Sequence, residues 1–325
     1  MKISPALVLL LIAGMPMIVA GSADAQQTYP SKPIRLIVAA PPGGSATTVA
    51  RIIGQKLSES WGQQVLVDNR GGANAIIGTE ALIKSPPDGY TILSVTSTHA
   101  INPSLLATPY DAIKDFAPVA TLIGAEFLLV LHPSLPVGNL KELISLARLR
   151  PGELNYASSG NGTANHLTSE MFSIMAGIKM QHIPYKGGGP ALTDLLGGQV
   201  QLHFNLPIGL IPHIKNGKLK GIAISGQTRL AALPQVPTFS EAGLPGFDAT
   251  NWFGILAPSG TPKEIVEKLS AEIARILAIP DIRTTLTSQG MDPLVSTPDQ
   301  FAARIKADIA RYAKVIKDAN IKTDP

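Results

Sequence analysis

The sequence contains no cysteine, so no disulfide framework holds the fold and no thiol stands near the N-terminus for lipid attachment. Aromatic residues make up only 5% of the chain, and 27 Lys and Arg are interspersed with 23 Asp and Glu for a formal net charge of +4. That balance describes a solvated surface rather than a nucleic-acid footprint. Beyond the first 25 residues there is no long apolar span, which argues against a retained membrane helix. None of the six histidines (His99, His132, His166, His182, His203, His213) falls in an H-E-x-x-H or similarly short spacing, so no metal site is expected. No pair of carboxylates occupies the small-residue turns, which leaves acid–base chemistry without evident players.

Nucleotide and nucleophile motifs are missing as well. The first glycine turn continues GGSATTVAR, without the lysine that a phosphate-cradling loop needs, and a later one reads GNGTAN rather than G-x-G-x-x-G. The stretch ASSGNG is not a G-x-S-x-G elbow, so Ser158 and Ser159 read as cap or ligand groups rather than nucleophiles.

Residues 1–25, MKISPALVLLLIAGMPMIVAGSADA, combine a basic start at Lys2, an apolar stretch and the small-residue pattern Ala23-Asp24-Ala25. This predicts a secretory signal peptide cleaved before Gln26 and a soluble mature protein in the periplasm. Strand-like runs follow at residues 32–40, 64–69, 90–95, 127–132, 154–158, 181–185, 200–205 and 219–225, with helical patterns between most of them. The expected class is α/β with mostly parallel sheets. Thr261-Pro262-Lys263-Glu264 and Thr297-Pro298-Asp299-Gln300 each predict a helix start, with apolar faces at Ile265, Leu269, Ile273 and Ile276, and at Phe301, Ile305, Ile309, Tyr312 and Ile316.

A strand running into a small-residue turn and then a helix recurs at Ala39–Thr48, Ser94–Asn102, Ala157–Thr163 and Tyr185–Pro190. In open α/β sheets such turns collect ligands beyond the carboxyl ends of strands, and turns from two lobes would place the ligand between them. Bare backbone N–H groups at helix starts favour an anion, although tight turning alone accounts for the glycines equally well.

Taken together, PPGGSATTVAR, PDGYTILSVTSTHAINPSL, YASSGNGTANHLTSEMF, HIPYKGGGPALTDLLGGQV, PHIKNGKLKGIAIS and WFGILAPSGTP closely resemble the Bug family of substrate-binding proteins. These are the extracytoplasmic receptors of tripartite tricarboxylate transporters. The resemblance covers essentially the whole mature chain. It implies a two-lobed type II periplasmic-binding-protein (Venus flytrap) fold with two hinge crossings. Lobe 1 would be residues 26–126 plus 248–325 and lobe 2 residues 127–247. The function it implies is capture of a small organic acid, without catalysis and without a cofactor, and delivery to membrane permease subunits.

By the same resemblance Gly43, Gly44, Ser45, Ala46 and Thr47 in lobe 1, and Ser158, Ser159, Gly160 and Thr163 in lobe 2, would hold a ligand carboxylate through amides and hydroxyls. Ser97 and Thr98 would complete the first wall, and Tyr185 and Gly187 would line the second, with Asn205 also in the pocket. Tyr185 is open to either ligand contact or packing, Lys186 to a counter-ion role or solvent, and Trp252 to hinge packing or ligand contact. Many members carry an aromatic residue at the position of Ala40, an aspartate at that of Thr47 and an acid at that of Asn205. Their replacement here implies a roomier, less acidic pocket, suited to an unsubstituted mono- or dicarboxylate, aromatic or aliphatic, rather than an amino acid. The chain is expected to act as a monomer. A sensor protein in place of the permease, or an exported enzyme acting on a carboxylated compound, are the alternative readings.

Overall fold

Every predicted strand forms, each within two residues of its expected ends. The computed structural model describes residues 29–318 and residue 321, so the expected signal peptide lies outside the described residues. The chain begins β1 (Ile34–Val38), α1 (Ser45–Trp61), β2 (Val65–Asn69), α2 (Ile76–Ile83), β3 (Thr91–Thr96), α3 (Thr98–Leu105) and β4 (Phe116–Glu126). It continues β5 (Leu128–Leu131), α4 (Leu140–Leu149), β6 (Asn155–Ser158), α5 (Ala164–Ala176), β7 (Gln181–Pro184), α6 (Gly188–Leu196), β8 (Leu202–Asn205), α7 (Ile211–Lys215) and β9 (Lys220–Ile224). The last part is β10 (Thr250–Pro258), α8 (Lys263–Leu277), α9 (Pro280–Ser288), β11 (Asp292–Pro293) and α10 (Pro298–Asp318).

Two sheets result. One has the order β11-β4-β10-β3-β1-β2 and the other β7-β6-β8-β5-β9. The expectation of mostly parallel pairing is corrected: four pairings are parallel and five antiparallel. The parallel pairs are the strand–helix–strand units, whereas β4, β5 and β10 belong to the stretches that pass between sheets and return against their neighbours. Those passages are closely tied. Glu126 of β4 lies opposite Thr250 of β10, and a single residue, Phe127, separates β4 from β5 in the other sheet. The buried Ser225 sits against both: its hydroxyl accepts from the Phe127 N–H at 2.8 Å and donates to the Ala249 carbonyl.

Two helix starts carry the side-chain caps that their residues predict, and that of α8 does not. Asn139 accepts the Glu142 N–H at α4, and Thr297 and Gln300 exchange side-chain bonds with each other's backbone N–H at α10. At α8 the expected Thr261 cap is not formed, because its hydroxyl turns back to the Pro258 carbonyl at 2.7 Å and the helix enters through Pro262. Leu269, Ile273 and Ile276 on α8, and Phe301, Ile305, Tyr312 and Ile316 on α10, are buried, while Ile265 and Ile309 are partly so. Both helices pack on β4, and α10 also packs on α3. Trp252 lies inside β10, fully buried edge-on against Phe301, with its indole N–H donating to Asp308 at 2.7 Å. It is therefore a packing residue of the first sheet and does not line the cavity between the two sheets.

Candidate functional site

The four recurrent turns converge. They line one cavity of about 980 Å³ between the two sheets, together with residues from β2–α2, β8 and β10. Its first wall begins with the loop after β1. Gly43 has φ +91°, a conformation open to glycine, and α1 starts without any side-chain cap on its first-turn amides. Gly43, Gly44, Ser45 and Ala46 line the cavity. Thr47 does not: it is 2% exposed, and its hydroxyl accepts from Asn69 Nδ2 at 2.8 Å, propping the loop from behind.

From the turn after β3, Thr98 lines the cavity but Ser97 does not. Ser97 is fully buried and donates its hydroxyl to Asn251 Oδ1 at 2.6 Å, which ties α3 to β10. His99 also reaches the wall, with its Nε2–H donating to the Ala112 carbonyl at 2.9 Å. Burial lowers its pKa to about 4, so the ring is neutral at pH 7.

The opposite wall comes from the turns after β6 and β7. Ser159, Gly160 and Thr163 line the cavity, whereas Ser158 is fully buried, hydrogen-bonded to His182 Nε2 at 2.6 Å and accepting the Gly160 N–H at 3.1 Å. Asn165 donates to Ser159 Oγ at 2.9 Å, leaving the Ser159 proton available, while the Thr163 hydroxyl lies 2.6 Å from Asn165 Oδ1. Behind this loop His166 accepts the Gly162 N–H at 3.0 Å and stacks on His182 with centroids 4.0 Å apart. Burial first, and then His182, hold the His166 pKa down to about 3. Tyr156 stacks on the other histidine at 4.9 Å.

Tyr185 and Gly187 both line the cavity, as does Lys186, which is otherwise exposed. The Tyr185 hydroxyl donates to Asp194 Oδ2 at 2.7 Å, and burial together with that carboxylate raises the phenol to about 12. Its ring therefore faces the cavity with its polar end already satisfied. Asn205 lines the cavity too, its Oδ1 accepting the Leu206 N–H at 2.8 Å.

One segment escaped the sequence reading. The loop Gly71–Ala75 after β2 lines the cavity, and Ala73, Asn74 and Ala75 hold φ of 44°, 51° and 73°. Three successive non-glycine residues in the left-handed region store backbone strain. Asn74 and Asn102 lock the loop, with Asn74 Nδ2 donating to Asn102 Oδ1 at 2.7 Å and Asn102 Nδ2 returning to the Asn74 carbonyl at 2.9 Å. The available signal was Gly71-Gly72 directly after a strand.

The electrostatics favour an anion. The first residues of α1, α2, α3, α5 and α6 (Ser45, Ile76, Thr98, Ala164, Gly188) all line the cavity, so five helix N-termini present partial positive charge to it. No Asp or Glu stands among the described residues of the lining, and Lys186 is the one Lys or Arg. Among the described residues, no group of acids, histidines or cysteines has the arrangement of a metal site, and no helix is long and apolar enough to cross a membrane.

The walls already touch. A Cβ built on Gly187, whose φ is +112°, would stand 2.5 Å from Pro41 Cγ on the opposite wall. One built on Gly290, before β11, would meet Pro207, after β8, at 2.6 Å.

This architecture recurs among known proteins. A solved periplasmic transporter superposes with a TM-score of 0.88 at 40% identity, covering 91% of this chain and 100% of that one. An R. palustris protein solved with adipate gives 0.88 at 35% identity, covering 90% and 99%. MatC from Rhodopseudomonas palustris, solved with bound malate, gives 0.82 at 31%, covering 89% and 100%. Among curated proteins, BugT of Bordetella pertussis (strain Tohama I) is 38% identical over 319 residues, covering 97% of this chain and 98% of BugT. Residues 49–321 match the Tripartite tricarboxylate transporter family receptor. With two mixed sheets enclosing one cavity, and likeness to these proteins along nearly its whole length, the chain belongs to the receptor family of the tripartite tricarboxylate transporters.

Proposed function

We propose that this protein is exported to the periplasm, binds a small organic carboxylate between two closing lobes and hands it to the membrane permease of a tripartite tricarboxylate transporter. Lobe 1 comprises residues 26–126 with 248–325 and lobe 2 residues 127–247, after removal of residues 1–25. The observation that carries this reading is the facing of uncapped glycine-rich helix starts, Gly43–Ala46 on one wall and Ser159, Gly160 and Gly187 on the other, across one cavity. Backbone amides and free hydroxyls are the groups that accept a carboxylate without a buried cation. Adipate and malate in related structures support that ligand class. The reading is reversible binding without turnover: among the described residues the lining carries no carboxylate, and its histidine, His99, donates its Nε2–H to a carbonyl.

Contacts from both walls form together only in the closed state, so ligand shifts the population toward it. The test is thermal unfolding of the mature protein, stripped of carried-over ligand, with aliphatic and aromatic carboxylates, amino acids and neutral sugars. A ligand at about 100 times its Kd adds roughly 2.7 kcal/mol, which raises the Tm by several degrees in a chain of this size. A carboxylate-selective shift supports the receptor reading, and a sugar-selective shift overturns it.

A further inference from the structure

We infer that the preferred ligand is an organic acid that carries no ammonium or other cationic group and whose body beyond the carboxylate is apolar. The inference rests on the receptor reading above and narrows its ligand class. It follows from how the cavity divides.

Polar capacity gathers at one end. A Cβ built on Gly188 would lie 3.5 Å from Ser159 Oγ and 3.8 Å from Asn205 Nδ2, and one on Gly189 would lie 4.0 Å from the Gly43 backbone. The β1–α1 loop, the β6–α5 turn, the start of α6 and Asn205 thus meet around one spot. The side chains there present donors, the Ser159 proton and the Asn205 amide, since Asn205 Oδ1 is already taken by Leu206; bare backbone N–H groups add to them, beside the Pro42 and Gly43 carbonyls. A carboxylate accepts and never donates, so it suits this end.

The other asparagines of the lining are largely spent on the protein. Asn69 bonds to Thr47 and the Ala40 carbonyl, Asn74 and Asn102 bond to each other, Asn165 to Ser159, and Asn251 to Ser97. Elsewhere the large side chains of the wall are apolar (Val95, Leu106, Phe127, Leu206, Ile208 and Phe253), with Thr96, Thr98 and His99 between them and alanine at positions 39 and 40 adding room. An ammonium group in this chamber would leave water and meet no ionised acid, because no Asp or Glu among the described residues lines it. A ligand hydroxyl would likewise lose its water partners against these apolar side chains unless it reached Thr96 or Thr98.

Calorimetric titration of the stripped mature protein with matched compounds tests this: hexanoate against norleucine, 3-phenylpropanoate against phenylalanine, and malate as a small polar acid. Hexanoate and 3-phenylpropanoate are expected to bind at least tenfold more tightly than their amino-bearing partners and than malate. Amino acids binding within twofold of their deaminated partners, or malate binding more tightly than both apolar acids, would overturn the inference while leaving a carboxylate receptor in place. Failure of every acid to bind would overturn both. The variant Asn205→Asp, which adds negative charge at the polar end, is expected to weaken hexanoate more than tenfold and norleucine much less. An equal effect on the two would refute the electrostatic basis of the discrimination.

Discussion

Replacing Gly187 by alanine should hold the two proposed lobes apart. The added Cβ would lie 2.5 Å from Pro41 Cγ, about 1 Å inside ordinary van der Waals contact. Gly71 packs so closely on Pro41 that a Cβ there would stand 2.4 Å from the Pro41 nitrogen, which limits the room Pro41 has to retreat. Overpacking of this kind costs about 1–3 kcal/mol, and since the contact joins opposite walls the cost falls on the closed state. At a factor of ten per 1.4 kcal/mol, ligand affinity should drop roughly 5- to 150-fold. The φ of +112° adds strain of about 1–3 kcal/mol, but in open and closed states alike, so it lowers Tm without touching Kd. Gly152→Ala separates the two effects, because its φ is +81° and nothing lies within 4 Å of the added Cβ. Calorimetric titration with the best-bound acid should therefore show lost affinity for Gly187→Ala and unchanged affinity for Gly152→Ala, both with lowered Tm. Adding Pro41→Gly to Gly187→Ala should restore binding, since it removes the ring that the new methyl strikes. A Gly187→Ala protein with Kd within twofold of the parent would refute this contact as part of the ligand-bound state.

Ser225→Ala should lower stability by about 1–3 kcal/mol, because the buried Phe127 N–H and Ala249 carbonyl lose a shared partner, and urea unfolding measures it. Acid should destabilise the fold through His99, His166 and His203, whose buried rings are held to pKa values of about 4, 3 and 4. The unfolded chain takes up these protons as pH falls through about 6.5, while the native state does not until near 4 to 3. Stability is therefore complete above about 6.5 and falls below it, by roughly 1.4 kcal/mol per pH unit for each histidine. His203→Asn should flatten a plot of stability against pH by one such increment. Asp308→Ala strands the buried Trp252 indole N–H while the half-exposed Arg311 turns to solvent, for a loss of roughly 1–3 kcal/mol, whereas Asp308→Asn, which keeps an acceptor, should lose less. Trp252 emission should be blue-shifted and unchanged by ligand, which fluorescence of a Trp61→Phe variant would show.

The local elements were legible because they depend on near neighbours. Branched apolar runs marked the strands, and Asn139 and Thr297 marked helix starts whose capping partners lie three residues on. Strand direction was not legible, since alternation within β4 or β10 reads the same whichever way the neighbouring strand runs. The same limit separates the good site residues from the poor ones. Gly43, Ser159 and Gly187, which the family resemblance picked out, lie in turns that the strand–turn–helix pattern also marks, whereas Thr47, Ser97 and Ser158 are withdrawn from the cavity by Asn69, Asn251 and His182, which lie 22, 154 and 24 residues away. A hydroxyl in a turn has two sides to face, and a distant partner chooses between them. The β2–α2 loop was missed because α2, reading IIGTEALI, is apolar on every side and gives no amphipathic pattern to announce a helix after the turn.

Why such a cavity should hold an anion with dipoles rather than with an arginine follows from what a receptor must do next. A buried guanidinium–carboxylate pair binds firmly, but removing one partner leaves an uncompensated charge in a low-dielectric site, at a cost of about 3–5 kcal/mol. Here the donors are amides at helix starts and hydroxyls such as Ser159, which water satisfies as soon as the walls separate. The one Lys or Arg of the lining, Lys186, sits exposed at the rim and stays solvated in either state. Release then costs only the exchange of ligand oxygens for water on groups that are neutral throughout. On the proposed reading, closure around the acid supplies the affinity, and opening removes it without leaving a stranded charge behind.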